Sequence, residues 1–444
     1  MVKESMRVNL YAKPDVEQGL PTEYEDEKKS KKFLPKSRNF STLALRKLRD
    51  IKLKLEDIYD DLTPMQRLII SGICLFIFCI YYTWGGSHYD PVIRTALGTR
   101  GYKIPVTDIQ QHITHPKDDG ANEKGVFITL CRNEDLFELT ETIRNIEEKF
   151  NNRYHYDWVF FNDNAFTKEF VEVTSALASG KTRYAKLSQE YWGLPDWIDE
   201  GVMKRGFEKL TAVNALYADS VPYRHMCRFQ AGLVYNHPLL KEYKYFWRVD
   251  HDVKVHCKVQ YDLFKFLRVN KKKYGFILSL HEYPETIPTL WQSTKEFMEK
   301  HPEHVSKNNL MKFISDDEGK TYNLCHFWSN FEVGSLDFFR SKQYQDYFKY
   351  LDSKGGFYYE RWGDAPIHSI AASVLLDKSE VHFFEGMGYS HLPFTSCPAE
   401  AAIRLQNECT CDPHEDDTWE PSFFCNTKFF NVQNMLPPVV NYNY

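Results

Sequence analysis

The run from Leu68 to Trp84, LIISGICLFIFCIYYTW, carries no charge in a chain of 444 residues of which 26% are charged. No polar face interrupts it, so a helix built from it must be covered by apolar surroundings on every side. Its seventeen residues sit at the short end of the range that spans a bilayer, roughly 17–25 residues. Tyrosine and tryptophan at its distal end suit a membrane interface. A buried core helix is the competing reading, but the polar segment before it does not read as a domain. A cleaved leader is disfavoured as well, because the run begins after 67 residues and lacks a small-residue cleavage site.

The flanking charges set an orientation. Lys47, Arg49, Lys52, Lys54 and Arg67 precede the run, against Arg94, Arg100 and Lys103 after it, and the basic side stays in the cytosol. The expectation is a single-pass type II membrane protein. Residues 1–67 form a polar cytosolic tail, 68–84 the anchor, 85–120 a lumenal stem, and 121–444 one large lumenal domain. The basic stretches of the cytosolic tail could contact coat proteins or anionic lipid, or serve topology alone. The sequon Asn39-Phe40-Ser41 falls on the cytosolic side and would stay unglycosylated.

The cysteines fit that layout. Cys74 and Cys79 lie in the run, and eight follow it at 131, 227, 257, 325, 397, 409, 411 and 425. An even number in an oxidising lumen favours disulfides. Cys409, Cys411, His414 and Cys425 can alternatively be read as a zinc site, although their spacing fits no standard finger.

Beyond the stem the pattern is that of an α/β domain. Strands are expected at Gly125–Leu130, Asp157–Phe161, Tyr243–Val249, Tyr274–Leu280 and Val381–Phe384. Between the first two, Leu136, Leu139, Ile143 and Ile146 recur at helical spacing. Strands alternating with helices imply a mixed, mainly parallel sheet flanked by helices, with ligands at the carboxyl ends of its strands. Neither a dinucleotide-binding glycine fingerprint nor a P-loop follows any strand, which disfavours dehydrogenases and P-loop kinases. A net charge of −5 gives no basic footprint for nucleic acid.

The strand Tyr243–Val249 runs into Asp250-His251-Asp252. Two carboxylates at a strand end can hold one hard cation of the Mg²⁺ or Mn²⁺ kind, shared with a substrate's phosphates. Breaking a sugar–diphosphate bond needs that neutralisation of the leaving group. Short acidic patterns are common on solvated turns, so the motif gains weight only from its context. Glu332 sits in the aromatic stretch His326–Gly334, either paired structurally or kept for chemistry. Asp364, ahead of Pro366 and an apolar run, reads first as a helix cap. His391 follows a strand and is either a metal ligand or structural.

Several ordered blocks resemble one family. They are Thr129-Leu-Cys-Arg-Asn-Glu134, Tyr223-Arg-His-Met-Cys-Arg-Phe229, Tyr245-Phe-Trp-Arg-Val-Asp-His-Asp-Val253, Phe327-Trp-Ser-Asn-Phe-Glu332, Gly355-Gly-Phe-Tyr-Tyr-Glu-Arg-Trp-Gly-Asp-Ala-Pro366, His382-Phe-Phe-Glu385 and Gly388-Tyr-Ser-His391. Together they are similar to the fungal KTR-type α-1,2-mannosyltransferases of glycosyltransferase family 15, over about residues 122 to 400. The resemblance implies a GT-A-like fold and a retaining Golgi enzyme that uses GDP-mannose and Mn²⁺. It also implies a mannosylated glycoprotein acceptor bearing O- or N-linked glycans, and other Golgi mannosyltransferases as partners in a complex.

Carried over by position, the resemblance implies that Asp250 and His391 hold Mn²⁺ with the diphosphate. Tyr223 would lie near the donor phosphates and Arg132 near the nucleotide. Glu332 would sit beside the anomeric carbon as nucleophile or cation stabiliser, and Asp364 near the acceptor hydroxyl as base. One departure stands out. The family usually reads Glu-Pro-Asp where this chain has Asp250-His251-Asp252, which leaves Asp252 with a structural or a catalytic role. Two alternatives stay open: transfer of mannosylphosphate from the same donor, and a non-catalytic member that binds glycan or scaffolds other transferases.

Overall fold

The computed structural model describes residues 120–438, with Thr63 and Pro116. The expected anchor at 68–84, the tail and nearly all of the stem lie outside the described residues. Among the described residues no helix is long and apolar enough to cross a membrane.

The centre is a seven-stranded sheet. Its strands, with those of two smaller sheets, are in chain order β1 (Gly125–Leu130), β2 (Asp157–Asn162), β3 (Thr182–Lys186), β4 (Tyr245–Val249), β5 (Lys254–Val255), β6 (Tyr274–Phe276), β7 (Ser279–His281), β8 (Cys325–Phe327), β9 (Phe331–Ser335), β10 (Val381–Phe383), β11 (Tyr389–His391) and β12 (Phe394–Ser396). The large sheet runs β10-β6-β9-β4-β1-β2-β3. Every neighbouring pair is parallel except those made by β9, which is antiparallel to both β4 and β6. The mixed, mainly parallel sheet expected from the alternation of elements is therefore present.

Side-chain alternation divides the core in two. On β1, Val126 and Ile128 join one apolar cluster, while Phe127 faces the other; on β4, Phe246 and Trp247 divide the same way. The first helix, α1 (Leu136–Lys149), lays Leu136, Leu139, Ile143 and Ile146 against the Phe127 side. Those are the residues whose spacing marked a helix, since positions three and four apart share one face. The opposite side is closed in part by α2 (Val221–Arg228) and by an apolar helix α3 (Asp364–Leu375), whose residues are buried almost throughout.

One expected strand divides in two. Tyr274–Leu280 leaves the large sheet after Phe276, and Ser279–His281 pairs with β8 instead. The second half is drawn away by partners far along the chain. Ser279 donates its N–H to Asn426 Oδ1 at 2.8 Å, and the Cys325–Cys425 disulfide holds the same corner.

The zinc reading of the C-terminal cysteines is corrected. Cys409 is bonded to Cys257, Cys411 to Cys397 and Cys425 to Cys325. Their sulfurs are consumed in three different bonds, so no thiolate remains for a metal. Of the eight cysteines after the apolar run, Cys131 and Cys227 are the two left free, both buried. Burial raises both thiols, Cys227 to about 12, which keeps that one protonated and unreactive at neutral pH.

Candidate active site

A cleft of about 430 Å³ opens at the carboxyl edge of the parallel strands. Arg132 follows β1, Asn162 ends β2, and Asp250, His251 and Asp252 follow β4; all line it. Because β9 runs the other way, the residues entering it, Trp328 to Asn330, reach the same edge. This is where ligands meet open α/β sheets.

The floor is organised by Arg248, the one charged side chain of β4. Its Nε and Nη2 donate to the two oxygens of Asp250, at 2.9 and 3.1 Å. Its Nη1 donates to Asp364 Oδ2 at 2.5 Å and to Ser329 Oγ at 3.2 Å. Ser329 in turn donates to Asp364 Oδ2 at 2.7 Å. Burial alone would make the guanidinium easier to deprotonate, but the carboxylates of Asp250, Asp364 and Glu332 outweigh it and hold the charge firmly. Burial likewise pushes Asp364 up, and Arg248 and His368 more than reverse this, so its carboxyl lies below the usual range.

Asp364 is not the helix cap that local sequence suggested. Gly363 occupies the cap position and Asp364 is the first residue of α3, its side chain turned to Arg248 and Ser329. An ionised carboxylate at a helix N-terminus is favoured by the helix dipole, and here that end points into the cleft.

Glu332 lies directly across the ladder from Arg248, yet it does not line the cleft. It is 1% exposed, and its Oε1 is 2.7 Å from Nδ1 of His368, which is itself fully buried on α3. The other ring nitrogen of His368 faces the Gln230 carbonyl at 3.1 Å. A carbonyl only accepts, so that nitrogen carries a proton. Burial opposes a charged ring, but Glu332 overrides it and raises the histidine's pKa.

The rim is built differently. The turn after β4 enters β5, which is antiparallel to β11 with Ser390 opposite Lys254. Carried one pair further, that register sets His391 beside Val253 and so next to Asp252. Gly388 makes the approach to β11: it has φ +58°, and a Cβ there would stand 2.8 Å from Cys257 Sγ. His391 Nε2 lies 3.1 Å from Asp252 Oδ1, and the imidazole overcomes the cost of burial to hold Asp252 below its ordinary pKa. Trp328 packs edge-on against His391 at 5.1 Å.

The structure thus brings His391 to Asp252, while Asp250 is gripped by Arg248. Carboxylate oxygens keep spare lone pairs when hydrogen-bonded, so Asp250 and Asp252 can each still offer an oxygen to the cleft that His391 also lines. On the opposite wall, Tyr223 of α2 stacks on Tyr217 with centroids 4.2 Å apart and accepts from Arg361 Nη1 at 2.9 Å. Arg132 is exposed at the mouth. Of the sequence candidates, Arg132, Tyr223, Asp250, Asp364 and His391 line one cleft and Glu332 stands outside it. Arg248, Arg361 and His368 were missed. The available signal was an arginine interrupting an apolar strand two residues before Asp250.

A family model described as glycolipid 2-alpha-mannosyltransferase matches residues 100–434. The chain is 56% identical to a probable mannosyltransferase, KTR3, of Saccharomyces cerevisiae, over 84% of this chain and 94% of that protein. It is 49% identical to the alpha-1,2 mannosyltransferase KTR1 of the same yeast, over 82% and 92%. Among solved structures, core-mannan synthase A of Aspergillus fumigatus in its Mn/GDP form superposes with a TM-score of 0.67 at 37% identity, covering 76% of this chain and 93% of that one. The S. cerevisiae mannosyltransferase Ktr4p in complex with GDP gives 0.68 at 36% identity, over 73% and 86%.

Proposed function

This chain belongs to the glycolipid 2-alpha-mannosyltransferase family, and on that premise we propose that it transfers mannose from GDP-mannose, with retention and in α-1,2 linkage, to mannose-bearing glycans of glycoproteins. The observation that carries the reading is the cleft at the sheet's carboxyl edge, where Asp250, Asp252 and His391 ring the mouth and an ionised Asp364 lies on the floor.

The donor set at the mouth suits Mn²⁺, which when bound neutralises the diphosphate and improves it as a leaving group. Arg361 and Tyr223 offer hydrogen-bond donors to phosphate oxygens from the facing wall, and Arg132 stands where a nucleotide would lie. During transfer the anomeric C–O bond to phosphate breaks and a bond to the acceptor oxygen forms on the same face. Asp364 is held ionised by Arg248, so it is a weak base. Its suited work is to orient the acceptor hydroxyl and stabilise positive charge at the sugar ring. The acceptor's proton then passes to the departing phosphate oxygen. Glu332 adds negative potential from beneath without touching the cleft.

The chain would act as a single-pass type II protein of the Golgi membrane, anchored through residues 68–84. The three disulfides support an oxidising lumen for the domain.

Full-length protein, detergent-purified and incubated with GDP-mannose, Mn²⁺ and α-methyl mannoside, is expected to release GDP and yield an α-1,2-linked dimannoside. Loss of product on chelation is part of that expectation. An acid-labile phosphate in the product would establish mannosylphosphate transfer instead, and metal-independent behaviour without turnover would leave a binding protein.

A further inference from the structure

None of His301, Glu303, His304 and Asp346 lines the cleft; the first three meet at the end of one helix, and Asp346 of the helix packed beside it reaches His304. The helix Leu290–Lys300 ends at His301, Pro302 opens a short 3-10 turn through His304, and Asp346 lies in the helix Lys342–Ser353. Phe297 packs edge-on against Tyr347, and Thr294 bonds to the Tyr347 hydroxyl, so the two helices are held in register independently of the charged groups.

His301 Nδ1 is 3.3 Å from Glu303 Oε1, His304 Nε2 is 3.8 Å from the same oxygen, and His304 Nε2 is 3.0 Å from Asp346 Oδ2. Donor atoms of His301, Glu303 and His304 all lie within 4.8 Å of one another. In a tetrahedral site with bonds of roughly 2.0–2.2 Å, neighbouring donors are separated by about 3.3–3.6 Å. The observed spacings bracket that value. We infer that His301, Glu303 and His304 form a second metal site, distinct from the sugar-transfer cleft, that takes Zn²⁺ with water completing its shell, while Asp346 of the neighbouring helix orients the His304 ring so that the site clips the two helices together.

Three features favour that ion class. Two imidazoles with one carboxylate suit Zn²⁺ better than the harder, oxygen-seeking Mn²⁺. Glu303 in the cluster and Asp346 behind His304 together balance the ion's charge. The site caps the C-terminal end of an eleven-residue helix, where cations are favoured. Outside the cleft, the other described cluster of metal-binding side chains, His281 with Cys325 and Cys425, has its sulfurs already joined in a disulfide. Lys342 pairs with Asp346 and is 78% exposed, so its ammonium can swing into water and leave the oxygen to His304.

The consequence reaches the cleft through covalent continuity. Glu282 and Tyr283 of the cleft wall precede the first helix, and Arg361 and Asp364 follow the second. A clip between the helices would brace both walls from behind.

The test uses full-length protein stripped of metal, then given Mn²⁺ and GDP in excess to occupy the cleft, and titrated with Co²⁺ as a spectroscopic stand-in for Zn²⁺. One equivalent of four-coordinate cobalt absorption is expected, and Zn²⁺ should erase it. H301Q/H304Q should abolish the signal and E303Q should weaken apparent affinity by at least about tenfold. K342M should strengthen it, and none of these changes enters the cleft. Zinc should raise the thermal midpoint of the parent protein and leave that of H301Q/H304Q unmoved. No cobalt signal in the parent, or an equal signal and equal zinc-induced shift in H301Q/H304Q, would overturn the assignment.

Discussion

The floor and the rim of the cleft use the same chemical groups to opposite ends. On the floor, Arg248 is buried against Asp250, Asp364 and, across the ladder, Glu332. On the rim, Asp252 has one imidazole partner and is 40% exposed. Charges on the floor compensate one another before any ligand arrives; those on the rim are left with capacity for a ligand. Asp250 belongs to both regions, bonded inward to Arg248 and lining the mouth. The contrast separates a preorganised electrostatic base, which should govern folding and turnover, from a binding edge, which should govern metal and donor affinity.

The sharpest way to break that contrast is Arg248→Met. It leaves buried carboxylates without their counter-charge, and removing one partner of a buried pair costs about 3–5 kcal/mol. Chemical denaturation should show that loss, together with loss of turnover. A stability change of the small size typical of exposed pairs, up to about 1 kcal/mol, would mean that the floor is no more cooperative than the rim.

Glu332→Gln should come next. It keeps the shape and removes the charge; because Glu332 acts without touching the cleft, a fall in kcat is expected that stays below the roughly 10²-fold typical of a group in contact with the reacting atoms, with GDP-mannose binding preserved. Near-normal turnover would remove Glu332 from the mechanism. The same residue leaves a stability signature. Its partner His368 has a raised pKa in the folded chain, so the pair's contribution is complete below the ordinary histidine value of 6.5 and fades as pH rises through the folded value. Denaturation midpoints should fall over that window in the parent and lose this component in His368→Gln. A profile shared by both proteins would show that the histidine is not charged in the fold.

At the rim, His391→Ala and Asp252→Asn should each weaken Mn²⁺ binding by about 10–100-fold while altering stability little. Unchanged metal affinity in His391→Ala would contradict a ligand role for the histidine. Unchanged affinity in Asp252→Asn alone would restrict Asp252 to orienting the ring.

Much of the floor's framework was legible in sequence because strands and helices advertise themselves by period. The alternation of Val126, Phe127 and Ile128 and the spacing of Leu139, Ile143 and Ile146 named the faces that the fold buries. The Tyr274–Leu280 run misled because period says nothing about which partner strand is nearer, and Asn426 and Cys425, distant in sequence, decided it. Resemblance brought Glu332, Asp364 and His391 forward, whereas their connections were illegible. No local rule pairs His368 with Glu332, because that contact depends on a strand and a helix docking. The joining of Asp252 to His391 follows from a register between β5 and β11 that spacing cannot reveal.

The smallest expected effect is at the facing wall. Tyr223 is held by stacking on Tyr217 and by the hydrogen bond from Arg361. Tyr223→Phe preserves the stack and deletes only the hydroxyl, a change worth about 0.5–1.5 kcal/mol for an ordinary hydrogen bond. That corresponds to a rise in the donor KM of roughly 2- to 13-fold, with kcat largely kept if the hydroxyl binds donor and transition state alike. If kcat falls and KM does not, the hydroxyl acts only as the bond breaks. Tyr223 would then belong with the floor, and the division would follow the reacting atoms instead of depth in the cleft.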